Sequence, residues 1–130
     1  MSPLYHFILI DDSNFDLFIY EKLIVKSKIA NSVKAFNSAR VALEYIINEE
    51  ANIPETIILL DLQLPGMNGF EFIEQFHKLS QQLKDKIKIF MLSSTIDTND
   101  IEKARSSPDI IDLLSKPLEI SLLQERLSQL

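Results

Sequence analysis

The sequence predicts a doubly wound α/β fold, a five-stranded parallel sheet with helices on both faces. Three observations predict it. Short apolar runs alternate with stretches of helical periodicity along the whole chain, the order that builds parallel strands through right-handed crossovers. Ile57-Ile58-Leu59-Leu60 is apolar without interruption, so it has no polar face and suits a strand covered on both sides. The runs end at polar residues followed by loop formers; after Asp61, the residues Pro65, Gly66, Asn68 and Gly69 stop the strand from continuing.

Each element follows from its own pattern. Tyr5 to Ile10 is the first strand, ending at Asp11-Asp12. Ser13 with Asp16 three residues on is a helix N-cap signature, and Phe15, Ile19 and Leu23 predict one face of a helix ending near Lys28. Val33 to Asn37 is a short, less apolar strand, suited to a sheet edge. Ala39, Ala42, Leu43, Ile46 and Ile47 recur with amphipathic helical spacing, and Pro54 closes the loop that follows. After the central strand at Ile57, Phe72, Ile73, Phe76, Leu79 and Leu83 predict the buried stripe of a third helix. Ile87 to Leu92 is the fourth strand, ending at Ser93-Ser94-Thr95. Residues 98–106 predict a weak helix with Ile101 and Ala104 inward. Ile110 to Leu114 is the fifth strand, ending at Ser115-Lys116-Pro117; Ile120, Leu123, Leu127 and Leu130 mark the last helix. The two most apolar early strands, first and third, belong side by side in the middle, which predicts the strand order 2-1-3-4-5.

Composition bounds the function. The 130 residues predict a single domain spanning 1–130, and 46% hydrophobic residues fill a core of ordinary size. Cysteine is absent, which excludes disulfides and thiolate chemistry. No segment has the length and apolarity of a membrane span or a leader, so a cytoplasmic location is expected. Acids outnumber bases by 19 to 13 and the bases are scattered, so direct nucleic acid or membrane binding is not expected.

In open α/β sheets ligands bind at the carboxyl ends of the strands, next to the switch point between the first and third. The predicted order puts Asp11, Asp12 and Asp61 there, with Ser93, Ser94, Thr95 and Lys116 along the same edge. Taken alone, Asp61 reads equally as an acid capping a turn, Asp11-Asp12 as helix-capping acids and Lys116 as a surface lysine. Together they carry chemistry. Two unit charges about 4 Å apart repel by ~4 kcal/mol at an effective dielectric near 20, and a divalent cation offsets that. Oxygen ligands at an open site suit Mg²⁺, which commonly bridges a carboxylate to a phosphate. Lys116 offers a point charge for a phosphoryl oxygen, a serine hydroxyl donates to another, and an Asp beside Mg²⁺ can attack phosphorus. His6 and His77 have no partner at metal spacing and are read as structural or exposed. Phe70, Phe72 and Phe76 are read as packing residues.

This constellation resembles the receiver domain of two-component response regulators, from about Phe7 to Leu127. Asp11-Asp12 match the acidic pair of that family, and Asp61 its phosphoacceptor, followed by Leu-Gln-Leu-Pro-Gly-Met-Asn-Gly where the family usually has Asp-x-x-Met-Pro-x-x-x-Gly. Ser93 matches the Thr/Ser position, Ser94 the small residue after it, and Lys116-Pro117 the Lys-Pro pair whose peptide bond is typically cis. The resemblance implies a flavodoxin-like (βα)5 fold and an Asp61 phosphorylated by a sensor histidine kinase or phosphotransfer protein. It implies Mg²⁺ held by Asp12, Asp61 and the Gln63 carbonyl, with Asp11 acting partly through water. Ser93, Ser94 and Lys116 would hold the phosphoryl oxygens, and Gln63 and Thr95 occupy positions that tune dephosphorylation. The chain would catalyse only its own phosphotransfer and autodephosphorylation, and is otherwise no enzyme. No residues remain for an output domain after the last helix, so, if the chain is the whole protein, an unidentified downstream protein is expected to receive the signal.

Three departures stand out. Leu64 replaces the usual Met, Leu113 stands where many receivers carry a switching Tyr or Phe, and Ser106-Ser107-Pro108-Asp109 lacks the glycine common before strand five. Other readings make distinct demands. A phosphatase of the haloacid dehalogenase type would carry a second Asp at position 63, where this chain has Gln63. An FMN binder would need a hydroxyl- and glycine-rich loop after the first strand, where Asp-Asp-Ser-Asn-Phe stands. A pseudo-receiver would keep the fold as a protein-interaction module without phosphorylation.

Overall fold

The computed structural model describes residues 4–94 and 97–130. Five strands, β1 (Tyr5–Ile10), β2 (Ala30–Phe36), β3 (Thr56–Asp61), β4 (Ile87–Ser93) and β5 (Ile110–Ser115), form one sheet in the order β2-β1-β3-β4-β5. All neighbouring pairs are parallel. The predicted order is therefore the observed one, and the less apolar β2 lies at an edge. Among the described residues, six helices connect and follow the strands: α1 (Asn14–Lys26), α2 (Ala39–Asn48), α3 (Gly69–His77), α4 (Gln81–Lys84), α5 (Thr98–Ser106) and α6 (Ile120–Ser128).

Strand periodicity divides the core. Phe7, Leu9, Ile57, Leu59, Phe90 and Leu92 face one side, where Leu17, Tyr20 and Ile24 of α1 and Leu123 and Leu127 of α6 cover them. Ile8, Ile10, Ile58, Leu60, Ile89 and Met91 face the other, beneath α2, α3, α4 and α5. Every residue of β3 is buried, as its unbroken apolar run predicts.

Four sequence expectations are corrected. The inward face of α1 is Leu17, Tyr20 and Ile24, whereas Phe15 is 72% exposed. Apolar residues surround this helix, so periodicity cannot select the face; the fit onto the sheet does. The helix also stops at Lys26, short of Lys28, which adopts φ 60° beyond the Ser27 cap. The third helix ends at His77, and Leu83 belongs to the separate turn α4, which has its own cap where Ser80 Oγ accepts from the Leu83 N–H at 3.2 Å. Ile47 and Leu130 are exposed, the latter lying past the end of α6.

The loop after β3 is anchored at Gly69. Its N–H donates to the Leu62 carbonyl at 2.9 Å, and a Cβ there would come within 2.8 Å of the Leu62 Cα, so only glycine permits this approach. Asn68 and Glu71 then form a reciprocal capping box that starts α3. The loop between Asp61 and α3 is thus held at both ends.

Candidate functional site

Strand register brings the site together. Ile10 pairs with Leu60, Asp61 with Leu92, and Ser93 with Ser115, so Asp11, Asp61, Ser93 and Lys116 leave the sheet along one edge. Carboxylate oxygens of Asp11, Asp12 and Asp61 lie within 4.8 Å of one another. Asp11 and Asp61 are buried and Asp12 is exposed, a partly open set of hard oxygen donors that suits a divalent cation such as Mg²⁺.

Local hydrogen bonds orient these groups. Asp11 Oδ1 accepts from the Ser13 N–H at 2.9 Å, and Asp61 Oδ1 from the Gln63 N–H at 3.1 Å. Ser13 Oγ in turn accepts from the Asp16 N–H at 3.2 Å and caps α1, as its sequence position predicts. Lys116 closes the cluster. Its Nζ lies 2.8 Å from Asp11 Oδ2, 3.4 Å from Asp61 Oδ2 and 3.4 Å from Asp16 Oδ2. The Lys116 N–H donates to the Ser93 carbonyl at 2.9 Å, which fixes the strand-five loop against strand four. The Lys116-Pro117 bond is cis.

Electrostatics follow from burial and this partnering. Burial pushes the Asp61 carboxyl above its ordinary value; the Gln63 N–H opposes this, Asp11 adds to it and Lys116 opposes it again. Burial pulls the Lys116 ammonium down, but the hydrogen bond and charge of Asp11, followed by the charge of Asp61, outweigh it and hold the group above the ordinary lysine value. Tyr20, beneath this cluster on α1, is pushed up to about 12, chiefly by burial.

The predicted site residues are therefore placed as follows. Asp11, Asp12, Asp61 and Lys116 converge. Ser93 is fully buried at the end of β4. Ser94 is exposed, and its hydroxyl donates to Gln63 Oε1 at 3.1 Å, linking the loops after β3 and β4. Thr95 lies outside the described residues. His6 is buried, with Nδ1 paired to Ser32 Oγ, and His77 pairs with Asp109 at 2.7 Å, so both histidines sit away from the cluster. Phe72 and Phe76 are core residues.

Asp16 is the residue that sequence reasoning missed. It was legible only as part of a cap signature, yet its side chain faces Lys116, a hundred residues away in the chain. Beside it, Phe15 and Phe18 expose apolar rings at the outer surface of α1, 72% and 58% accessible.

Comparison with known proteins agrees with this geometry. Residues 7–128 match the family model described as response regulator receiver domain. The chain is 50% identical to a response regulator receiver protein from Dyadobacter fermentans, with a TM-score of 0.90 and 96% of each chain covered. A two-component response regulator from Cytophaga hutchinsonii superposes with a TM-score of 0.90 at 28% identity, over 98% of this chain and 97% of that one. A two-component response regulator of Oryza sativa subsp. japonica is 30% identical over 125 residues, covering 94% of this chain and 70% of that protein.

Proposed function

This chain belongs to the response regulator receiver domain family of two-component signalling, and from that premise we propose that Asp61 accepts a phosphoryl group from a sensor histidine kinase or phosphotransfer protein. The observation that carries the proposal is the convergence of Asp11, Asp12 and Asp61 with Lys116 in contact with two of them. In this reading an Asp61 carboxylate oxygen attacks phosphorus as the bond to the donor's imidazole nitrogen breaks, and the imidazole leaves with the electron pair. Asp12, Asp61 and the Gln63 carbonyl would hold Mg²⁺, with Asp11 acting partly through water. Bound there, Mg²⁺ supplies the positive charge that lets a carboxylate approach a phosphate.

The chain's own groups do the rest. Lys116 neutralises one phosphoryl oxygen, the Ser93 hydroxyl donates to another, and the Ser94 N–H to a third. Gln63 and Thr95 border the path by which water hydrolyses the acyl phosphate. The chain catalyses only its own phosphotransfer and autodephosphorylation, in the cytoplasm. It signals by conformational change or contact with a downstream protein.

Intact-mass measurement after treatment with phosphoramidate and Mg²⁺ tests the proposal. Wild type gains one phosphoryl group and Asp61→Asn gains none. Undiminished labelling of Asp61→Asn would overturn the assignment of Asp61. A wild type that never labels would instead identify an interaction module without phosphorylation.

A further inference from the structure

We propose that Asp16 is a positioning residue that competes with the phosphoryl group for Lys116. The inference rests on the phosphoacceptor reading and deepens it. Asp16 sits in the first turn of α1, placed there because its N–H caps onto Ser13 Oγ. Its carboxylate is not engaged in that cap. In a reciprocal capping box the acid would reach back to the Ser13 N–H, but that N–H donates to Asp11 Oδ1. The Asp16 carboxylate is left to face Lys116, with Oδ2 3.4 Å from Nζ.

Lys116 has three N–H donors and meets three carboxylates: Asp11 at 2.8 Å, Asp16 at 3.4 Å and Asp61 at 3.4 Å. Two of these belong to the acidic cluster that would share a cation, and Asp16 does not. Its influence on the site therefore runs through Lys116. A phosphoryl group on Asp61 offers Lys116 a stronger partner than the Asp61 carboxylate, while Asp16 holds the ammonium toward α1. Asp16 is one-third exposed, so solvent weakens this hold and the competition is modest. The arrangement stabilises the resting position of Lys116 and makes the phosphorylated state less favourable than it would be without Asp16.

The test measures beryllofluoride affinity by calorimetry at saturating Mg²⁺, so that any change in metal affinity drops out. Asp16→Asn and Asp16→Ala should bind beryllofluoride roughly two- to fivefold more tightly than wild type, the size of a partly exposed ion pair. Asp16→Glu, which keeps the charge, should fall between them and wild type. Phosphoramidate labelling rates should rise in the same order. Because the cap uses the Asp16 N–H, helix content should not change. Any loss of interaction with the α1 dipole is common to both states and cancels.

The decisive readout is a double-mutant cycle in labelling rate. In a Lys116→Met background, Asp16→Asn should have no effect. An effect that persists there would mean that Asp16 repels the phosphoryl group directly, and would overturn the proposal. Wild-type beryllofluoride binding with an unchanged constant in Asp16→Asn would overturn it as well, leaving the phosphoacceptor reading intact. Absence of beryllofluoride binding by wild type would overturn the phosphoacceptor reading and this inference together.

Discussion

At the scale of single residues, the resting site is a balance of charge in which Lys116 offsets part of the repulsion among the carboxylates. It contacts Asp11, Asp16 and Asp61, while Asp12 takes no part in these ion pairs. The carboxylates are therefore not equivalent. Asp12→Asn removes repulsion without breaking an ion pair, and should stabilise the metal-free protein by on the order of 1 kcal/mol. The same variant should lose most of the stabilisation wild type gains from millimolar Mg²⁺. Urea melts with EDTA and with Mg²⁺ measure both, and a destabilised variant that still responds fully to Mg²⁺ would refute a shared metal site. His6 presents the opposite case. Its Nε2 is buried with no hydrogen-bond partner among the described residues, and burial, then the charge of Lys34, holds the imidazole below its ordinary value. The unfolded chain thus binds this proton more readily than the native one. Stability from His6 is present above the unfolded value of about 6.5 and is lost as pH falls toward and through the lowered native value. His6→Phe should flatten the pH dependence of the urea midpoint as pH falls below the unfolded value of about 6.5. An unchanged slope would mean that His6 does not titrate on unfolding.

At the scale of elements, α1 shows why a helix rich in apolar residues is hard to orient from sequence. Phe15, Leu17, Phe18, Ile19, Tyr20, Leu23, Ile24 and Val25 leave no clear polar face. The sheet selects Leu17, Tyr20 and Ile24, and Phe15, Phe18 and Val25 remain outside. The predicted consequence is unequal sensitivity within one helix. Ile24→Ala, at a fully buried site, should cost about 2–5 kcal/mol in chemical denaturation, whereas Phe15→Ser should change stability by about 0.5 kcal/mol or less. Equal losses would place Phe15 in the core after all. The third helix carries the complementary lesson. Its apolar spacing continues through Leu79 to Leu83, but the chain caps at Lys78 and restarts at Ser80. Hydrophobic spacing records which residues are buried more faithfully than it records whether one helix or two buries them.

For the whole molecule, the parallel sheet makes the site by aligning strand ends far apart in sequence, and β5 carries Lys116 into it. The same strand bears Leu113, half-buried against the α3 and α5 side of the core and paired across to Met91. Leu113 has no ring to swing between exposed and buried positions, so a response to phosphorylation must use other groups. Adding beryllofluoride and Mg²⁺ should shift amide resonances of Ser93, Ser94 and α5 while the Leu113 methyl groups stay in place. Shifts confined to Asp61 and its direct neighbours would indicate a receiver with little or no propagated switch.

The sequence by itself determined the number of strands, their order and the convergence of Asp11, Asp12, Asp61 and Lys116, although β2 begins at Ala30 and not at the predicted Val33. Those features rest on local signals: an unbroken apolar run has to be buried, and a loop former has to end it. Strand order then follows from which runs are most apolar. Tertiary structure alone decided which side of α1 faces the sheet, where α3 stops, and that Asp16 shares Lys116 with the acidic cluster. Each of these depends on the angle and depth at which one element docks on another. That is set by packing between residues distant in the chain, and spacing within a single segment does not encode it.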